Sequence, residues 1–297
     1  VPFNYRLFTD ENYMGEMNPN HGFQLLDSLV TWCRAEQIYI LLDMHCAPGG
    51  QTGDNIDDSY GFPFLYEDTA AQSLTISIWK RIAQHYKNES IILGYDLLNE
   101  PIATYFDSAH FNPTLEPLYQ RIVEAIRTVD KNHLIFLGGA QWDSNFGIFG
   151  KPFDDKLVYT FHKYWTAPTK EVIQSYIKFS NKYKVPIYCG ETGENTNDWI
   201  RQFRQMLDSN NIGWHFWPYK KMDNERCMIT FKKPSGYDSA IAFANLPRAS
   251  FEEIRKAKPS DENLIKHALQ DFLKTCRFED CTENKEYVKA LGLKSAN

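Results

Sequence analysis

Hydrophobic residues along the chain fall into short apolar runs that alternate with segments of helical periodicity. The run Ile91–Leu98 is nearly all apolar, which is typical of a strand buried on both faces of a parallel sheet. In Phe23–Glu36 and Ala70–Tyr86, apolar residues recur every three or four positions, which predicts helices. Strands that alternate with helices predict βαβ units and hence a parallel sheet. The predicted strands are Val1–Phe8, Ile38–Met44, Ile91–Leu98, His133–Gly138, Leu157–Phe161, Val185–Gly190 and Gly213–Trp217.

The predicted class is α/β, and the predicted architecture is a (β/α)8 TIM barrel. A doubly wound sheet usually opens with a glycine-rich phosphate turn, and no strand end here carries G-x-G-x-x-G. In a barrel, the loops that follow the strands all open onto one face, where ligands bind. Linkers and low-complexity segments are absent, so residues 1–297 are interpreted as one catalytic domain. The remaining predicted helices are Leu115–Val129, Lys170–Tyr183, Trp199–Ser209, Phe251–Lys256 and Asn263–Cys276.

A carboxylate follows the buried run Ile91–Leu98, in the sequence Asn99-Glu100-Pro101. Such a residue can simply cap a strand at the surface. It is also the position of a catalytic acid at the C-terminal mouth of an α/β barrel. The interpretation therefore depends on whether a second carboxylate occupies an equivalent position.

Glu191 is that second carboxylate, because it ends the strand Val185–Gly190 as Glu100 ends its own. The two residues are three βα units apart and are expected to converge on one cleft. Two such carboxyl groups can divide the work, one protonated as an acid and one ionised as a nucleophile. Glycoside hydrolysis needs this pair.

The chain resembles glycoside hydrolase family 5, a cellulase-like family in the clan of retaining (β/α)8 enzymes. The resemblance runs from Val1 to about Lys221, and the motifs carry it through their order and spacing rather than singly. It implies that Glu100 is the acid/base and Glu191 the nucleophile. The motifs are Asp43-Met44-His45, Asn99-Glu100-Pro101, His162-Lys163-Tyr164, Gly190-Glu191 and Trp214-His215-Phe216-Trp217.

Polar and aromatic residues near the strand ends are candidates for substrate binding. An amide at Asn99 can donate to a sugar 2-hydroxyl, and Tyr164 can hold the nucleophile ionised. Trp217 is the expected stacking platform for a sugar ring. The alternative role of Asn99 is a hydrogen bond to the backbone, and the alternative for Tyr164 and Trp217 is a place in the hydrophobic core. The substrate-binding candidates are His45, Asn99, Trp142, His162, Tyr164 and Trp217.

The family pattern also includes parts that this sequence lacks. An Arg is expected one residue before the position of Val1, and the first β/α unit of the barrel is expected before it. A seven-stranded barrel would leave two strand edges unpaired. We therefore expect the domain to be N-terminally incomplete in this sequence, with a preceding segment in the whole protein.

Charge and composition exclude several classes of function. The net charge of −6 argues against nucleic acid as a partner, since phosphate binding needs a basic face. No apolar run is long enough for a membrane span. The six cysteines have no disulfide or zinc spacing, although Cys276 and Cys281 could pair across a turn; free thiols are expected. No metal and no cofactor are expected.

The expected partner is a β-linked glucan or a related oligosaccharide. An endo-β-1,4-glucanase is the first interpretation. The loop His45–Gln51 is similar to that of exo-acting β-1,3-glucanases and glucosidases of the family, so this alternative stays open. A catalytically inactive carbohydrate-binding barrel is a further alternative. An aldolase would need a lysine inside a strand and a metal hydrolase a cluster of histidines at the strand ends, and the sequence has neither. The resemblance favours a secreted or periplasmic protein; the sequence does not indicate an oligomeric state.

Overall fold

A computed structural model describes residues 1–10 and 17–294 of the chain. Within them, seven parallel strands form one sheet in chain order, β1 to β7. This arrangement confirms the predicted α/β class. The strands are β1 (Pro2–Asn4), β2 (Ile40–Cys46), β3 (Ile92–Asp96), β4 (Leu134–Gly138), β5 (Leu157–Tyr164), β6 (Ile187–Gly193) and β7 (Gly213–Trp217). The helices between them are α1 (His21–Ala35), α2 (Thr69–Tyr86), α3 (Ser108–Arg127), the short α4 (Ala140–Asp143), α5 (Gln174–Tyr183) and α6 (Asn197–Ser209).

Helix α3 begins seven residues before the predicted start at Leu115. The predicted start at Leu115 was therefore wrong. The helix begins at Ser108, directly after Asp107, whose carboxylate accepts hydrogen bonds from the first turn and caps it. Both Pro113 and Pro117 lie inside the helix. Each proline leaves the carbonyl four residues earlier without its usual helical hydrogen bond.

The helices pack their apolar faces against the sheet and fix the strand ends. Ile78, Trp79 and Ile82 on α2 are fully buried, as their helical spacing predicts. The indole Nε1 of Trp79 donates a hydrogen bond to the carbonyl of Leu97 at 3.0 Å. Because Leu97 lies just before Asn99, this bond anchors the end of β3, from which the proposed acid/base extends.

The described chain divides into two compact units. The first comprises residues 1–163, 169–191 and 212–214, and the second comprises residues 164–168, 192–211 and 215–297, of which 295–297 are not described. The interpretation of the chain as one catalytic domain stays a prediction.

The second unit contains elements that the sequence did not predict. Its three-stranded sheet consists of β8 (Lys220–Met222), β9 (Ile229–Phe231) and β10 (Thr282–Glu283) in the order β10-β9-β8, and these strands are only two or three residues long. Strands this short give too few alternating positions for a pattern to be recognised. Helices α7 (Tyr237–Ala244) and α10 (Lys285–Ala290) were also not predicted, whereas α8 (Phe251–Lys256) and α9 (Glu262–Thr275) lie where the sequence predicts helices.

Two further expectations concern cysteines and membranes. All cysteines lie in the described part of the chain and are free, including Cys276 and Cys281. Among the helices of residues 1–10 and 17–294, none combines the length and apolar character that crossing a bilayer requires.

Candidate active site

Five polar residues converge at the C-terminal ends of neighbouring strands in the first unit. His45 lies near the end of β2, Glu100 follows β3, Asp143 follows β4, His162 lies on β5 and Glu191 on β6. Parallel strands place their carboxyl ends on the same edge of the sheet. Ligating atoms of Glu100, His162 and Glu191 all lie within 4.8 Å of one another. The structure therefore places Glu100 and Glu191 close together, as expected from the sequence.

His162 lies between the two glutamates. Its Nδ1 is 2.9 Å from Oε1 of Glu100 and 3.8 Å from Oε2 of Glu191. Its Nε2 is 3.3 Å from Oδ2 of Asp143. Both ring nitrogens thus face carboxylate oxygens, which suits an imidazolium that donates from each nitrogen.

The surroundings of His162 and Glu191 raise the pKa of both groups, for different reasons. Burial disfavours the charged form of His162, yet the neighbouring Asp143, Glu191 and Glu100 raise its pKa to about 10. Burial raises the pKa of Glu191, the charge of Glu100 adds to this, and the cations of His162 and His45 oppose it. The imidazolium of His162 therefore favours an ionised Glu191.

His45 is held by residues on β2 and after β3. Its Nδ1 lies 2.8 Å from Oδ2 of Asp43, and its Nε2 lies 3.3 Å from the Asn99 side-chain amide. Burial acts to lower the pKa of His45, but the hydrogen bond and charge of Asp43 raise it overall. The Asp43 contact fixes the orientation of the ring, and the ring in turn orients Asn99. Both predicted binding residues are thus part of one hydrogen-bonded chain.

Glu100 has a strained backbone. Its φ is +46°, in the left-handed region of backbone angles that residues other than glycine rarely adopt. Such strain persists only where the surroundings enforce it, and it concentrates at functional sites. Here the Glu100 N–H donates to Oδ2 of Asp143 at 3.1 Å, and its carbonyl accepts from Oγ1 of Thr52 at 2.9 Å.

Gln51 connects the end of β2, where His45 lies, with the segment after β3 that carries Glu100. Its fully buried side chain donates from Nε2 to the carbonyls of His45 and Asn99, both at 2.8 Å. Its Oε1 accepts from the N–H of Ala47 at 2.9 Å. The polar loop after His45 therefore supports the segment that carries Glu100.

Replacing Gln51 by alanine is expected to destabilise the fold and to reduce turnover. The change leaves two buried carbonyls and one buried N–H without partners, and each such group costs about 1–3 kcal/mol. We expect a total loss on the order of 3 kcal/mol in the free energy of unfolding. Urea unfolding measures it, and Gln24→Ala on the exposed face of α1 is the control, expected within about 0.5 kcal/mol of the wild type. Equal stabilities for both variants would contradict the role of Gln51.

Two glycines make room for the buried polar groups. A Cβ at Gly138 would lie 1.8 Å from Oδ1 of Asp143. A Cβ at Gly190 would lie 2.3 Å from Oγ1 of Thr160 and 3.0 Å from Nε2 of His162. Larger side chains at these positions would displace the groups that surround the two glutamates.

The predicted aromatic residues fall in different units. Trp142, in the first unit, is half-buried and donates its backbone N–H to the carbonyl of Pro101 at 3.4 Å, which places it beside the segment that carries Glu100. Tyr164 and Trp217 belong to the second unit. There the ring of Tyr164 lies 5.4 Å from that of Trp165, and Trp217 precedes a cis peptide bond to Pro218. Their roles in binding stay predictions.

Two groups in the described residues have donor atoms close enough to hold a cation. One is Asp43, His45 and Glu191, and the other is Glu100, His162 and Glu191. In the second group, the neighbouring carboxylates raise the pKa of His162 to about 10, so a cation there would have to displace a proton from the ring.

Sequence reasoning missed Asp143 and the role of Gln51. Asp143 follows β4 at a short distance, as Glu100 follows β3, so the same signal of an acidic residue after a buried strand was present. Gln51 carried no recognisable signal, because a glutamine in a polar loop is usually solvated.

Comparison with known proteins identifies the family. The family model for Cellulase (glycosyl hydrolase family 5) matches residues 1–223, which is three quarters of the chain. The chain belongs to this family. It is therefore a glycoside hydrolase, and the expected resemblance is confirmed.

Individual relatives in the family are distant. A β-xylosidase of Phanerodontia chrysosporium is 25% identical over 98% of this chain and 67% of its own length. Endoglucanase C of Acetivibrio thermocellus is 26% identical over 76% of this chain and 80% of its own. Thermotoga maritima Cel5A, solved in complex with mannotriose, is 17% identical with a TM-score of 0.58, covering 73% of this chain and 77% of that one. This last likeness supports the predicted (β/α)8 barrel fold.

Proposed function

We propose that this glycoside hydrolase is an endo-β-1,4-glucanase that cleaves β-linked glucan with retention of anomeric configuration. Glu100 is the acid/base and Glu191 the nucleophile in this proposal. The observation that carries it is the convergence of their carboxylate oxygens to within 4.8 Å. Retaining glycosidases hold their carboxyl groups about 5–5.5 Å apart, whereas inverting enzymes leave roughly 6.5–9.5 Å for a water molecule.

The reaction proceeds in two displacements. Glu191 attacks the anomeric carbon while Glu100 donates its proton to the glycosidic oxygen, which leaves with the aglycone. Glu100 then removes a proton from water, which attacks the same carbon and releases Glu191. His162 contacts both carboxylates and balances the negative charge as it moves between them. Asn99, held by His45, is placed to bond the 2-hydroxyl as the oxocarbenium ion forms.

Endoglucanase action is favoured by the family model and by the relationship to endoglucanase C. An exo-acting β-glycosidase, of the β-1,3-glucanase or β-glucosidase type, is the second candidate. The β-xylosidase favours it, because that relative matches almost the whole chain. The endo-acting and exo-acting candidates differ in the glucan linkage that they hydrolyse and in whether they cleave within the chain or at its end.

A substrate screen combined with product analysis tests the proposal. We expect hydrolysis of carboxymethylcellulose, with viscosity falling faster than reducing ends appear, and little release from laminarin, xylan or mannan. Proton NMR of the first product should show the β-anomer before mutarotation. Release of single sugars from laminarin or aryl β-glucosides would favour the exo-acting candidate. An α-anomer as first product would contradict the retaining mechanism.

A further inference from the structure

Asp143 is a fully buried carboxylate for which the two-displacement mechanism has no direct use. Its side chain is 1% exposed, and its Oδ2 faces both the N–H of Glu100 and Nε2 of His162. Its Oδ1 is buried against Gly138 and has no hydrogen-bond partner among the described residues. Burying a carboxylate in this way is costly, so a compensating role is expected.

The position of Asp143 links two features of the site. One is the left-handed backbone of Glu100, whose N–H needs an acceptor in a place where no strand partner supplies one. The other is the imidazole of His162, which is 2.9 Å from Glu100 on its Nδ1 side and 3.3 Å from Asp143 on its Nε2 side. One carboxylate oxygen therefore holds both the peptide of the acid/base and the ring beside it.

We propose that Asp143 is a positioning residue for hydrolysis, which fixes the Glu100 peptide and keeps His162 as an imidazolium between the two glutamates. The proposal rests on the proposed function, since it takes Glu100 and Glu191 as the reacting pair. Asp143 acts through its neighbours and does not itself touch the substrate.

The charges that face His162 set the direction of the expected pH effect. They come from Asp143, Glu191 and Glu100, and Asp96 on β3 lies near enough to interact with the ring. Burial raises the pKa of Asp143 itself, and the imidazolium of His162 opposes that shift, so the two groups stabilise each other as an ion pair. Without Asp143, the pKa of His162 falls from about 10, because burial, which lowers it most strongly, is less opposed. Where the ring is then neutral, the pKa of Glu191 rises further, because an opposite charge no longer favours its ionised form. Since the nucleophile must be ionised, the acid limb of the pH profile moves to higher pH.

The test compares Asp143→Asn with Asp130→Asn in the complete chain. Asp130 is an equally buried aspartate that pairs with a different histidine, His133, at 2.5 Å. On 2,4-dinitrophenyl β-cellobioside, we expect Asp143→Asn to lower kcat by about 10²-fold with little change in KM, as a small misplacement of a reacting group does. Its acid limb should move upward, whereas Asp130→Asn should keep the wild-type profile. The same shift in both variants, or in neither, would overturn the proposal.

Two further measurements keep the proposal testable if Asp143→Asn does not fold. Gly138→Ala retains the carboxylate but pushes it aside, because the new Cβ would overlap Oδ1, and it should give the same upward shift. Histidine NMR of the wild type, assigned with His162→Gln, should show no titration of His162 between about pH 5 and 8. Titration near the ordinary value of 6.5 would refute the role of Asp143 whatever the glutamates do. Conversely, activity in Glu191→Ala would refute the proposed function and leave this titration result unaffected.

Discussion

Replacing Glu191 by alanine is expected to abolish turnover while the protein stays folded. Removing a nucleophile that acts as one unit with its partner costs at least about 10⁴-fold in kcat. Burial raises the pKa of Glu191 in the folded protein above the ordinary pKa of a glutamate. The free energy of unfolding therefore decreases as the pH rises from that ordinary pKa through the raised pKa of the folded protein. Alanine removes this cost, so thermal unfolding at neutral pH should occur at the wild-type temperature or above it. Steady-state kinetics and circular dichroism measure both effects.

Azide identifies the role of the residue that was removed. In Glu191→Ala, azide fits the space of the lost carboxylate and should release dinitrophenolate from the cellobioside with formation of the α-glycosyl azide. Glu116→Ala is the control, since that carboxylate on α3 accepts a hydrogen bond from the exposed Gly150 N–H, and the variant should keep full turnover. Substantial turnover of Glu191→Ala without azide would exclude Glu191 as the nucleophile.

Replacing Glu100 by alanine is expected to separate substrates by their leaving groups. General acid catalysis contributes about 10²–10⁴-fold, so hydrolysis of cello-oligosaccharides should fall by that factor. Dinitrophenolate needs no proton to leave, so its first equivalent should be released in a rapid burst. Hydrolysis of the covalent intermediate should then be slow, because the base that activates water is absent. Stopped-flow absorbance resolves the two phases.

Azide should give the opposite anomeric configuration of the product with Glu100→Ala. Azide should attack the glycosyl-enzyme intermediate and give the β-glycosyl azide. Equal losses on oligosaccharides and on the dinitrophenyl substrate, with no burst, would show that Glu100 is not the acid/base. The two variants together therefore assign each carboxylate by the configuration of its product.

Much of this site follows from sequence because buried parallel strands have a strong pattern. The apolar run Ile91–Leu98 contains β3 (Ile92–Asp96), and Glu100 follows that strand with three residues between them. Glu191 proved to lie within β6 rather than after it, since that strand continues to Gly193. The strand-end rule still placed both carboxylates at one edge, where the structure brings them together.

The supporting groups could not be predicted in the same way. Asp143 reaches Glu100 only because residues 140–143 turn tightly after β4, with left-handed backbone at Gln141 and Trp142. Gln51 bonds residues on two other segments, and its partner Asn99 lies 48 positions away in sequence. Hydrophobic periodicity carries no information on such long-range polar pairing. The short strands of the second unit were missed because their side chains alternate over too few positions.

The bonds made by Gln51 and Thr52 limit how this enzyme can be re-engineered. Ile102 and Ala103 donate their N–H groups to the carbonyls of the same two residues at 2.9 and 3.0 Å. A loop taken from a relative to change substrate range would therefore have to leave residues 51 and 52 in place and enter only beyond them. A chimaera joined before Gln51 would lose the hydrogen bonds that hold the segment carrying Glu100.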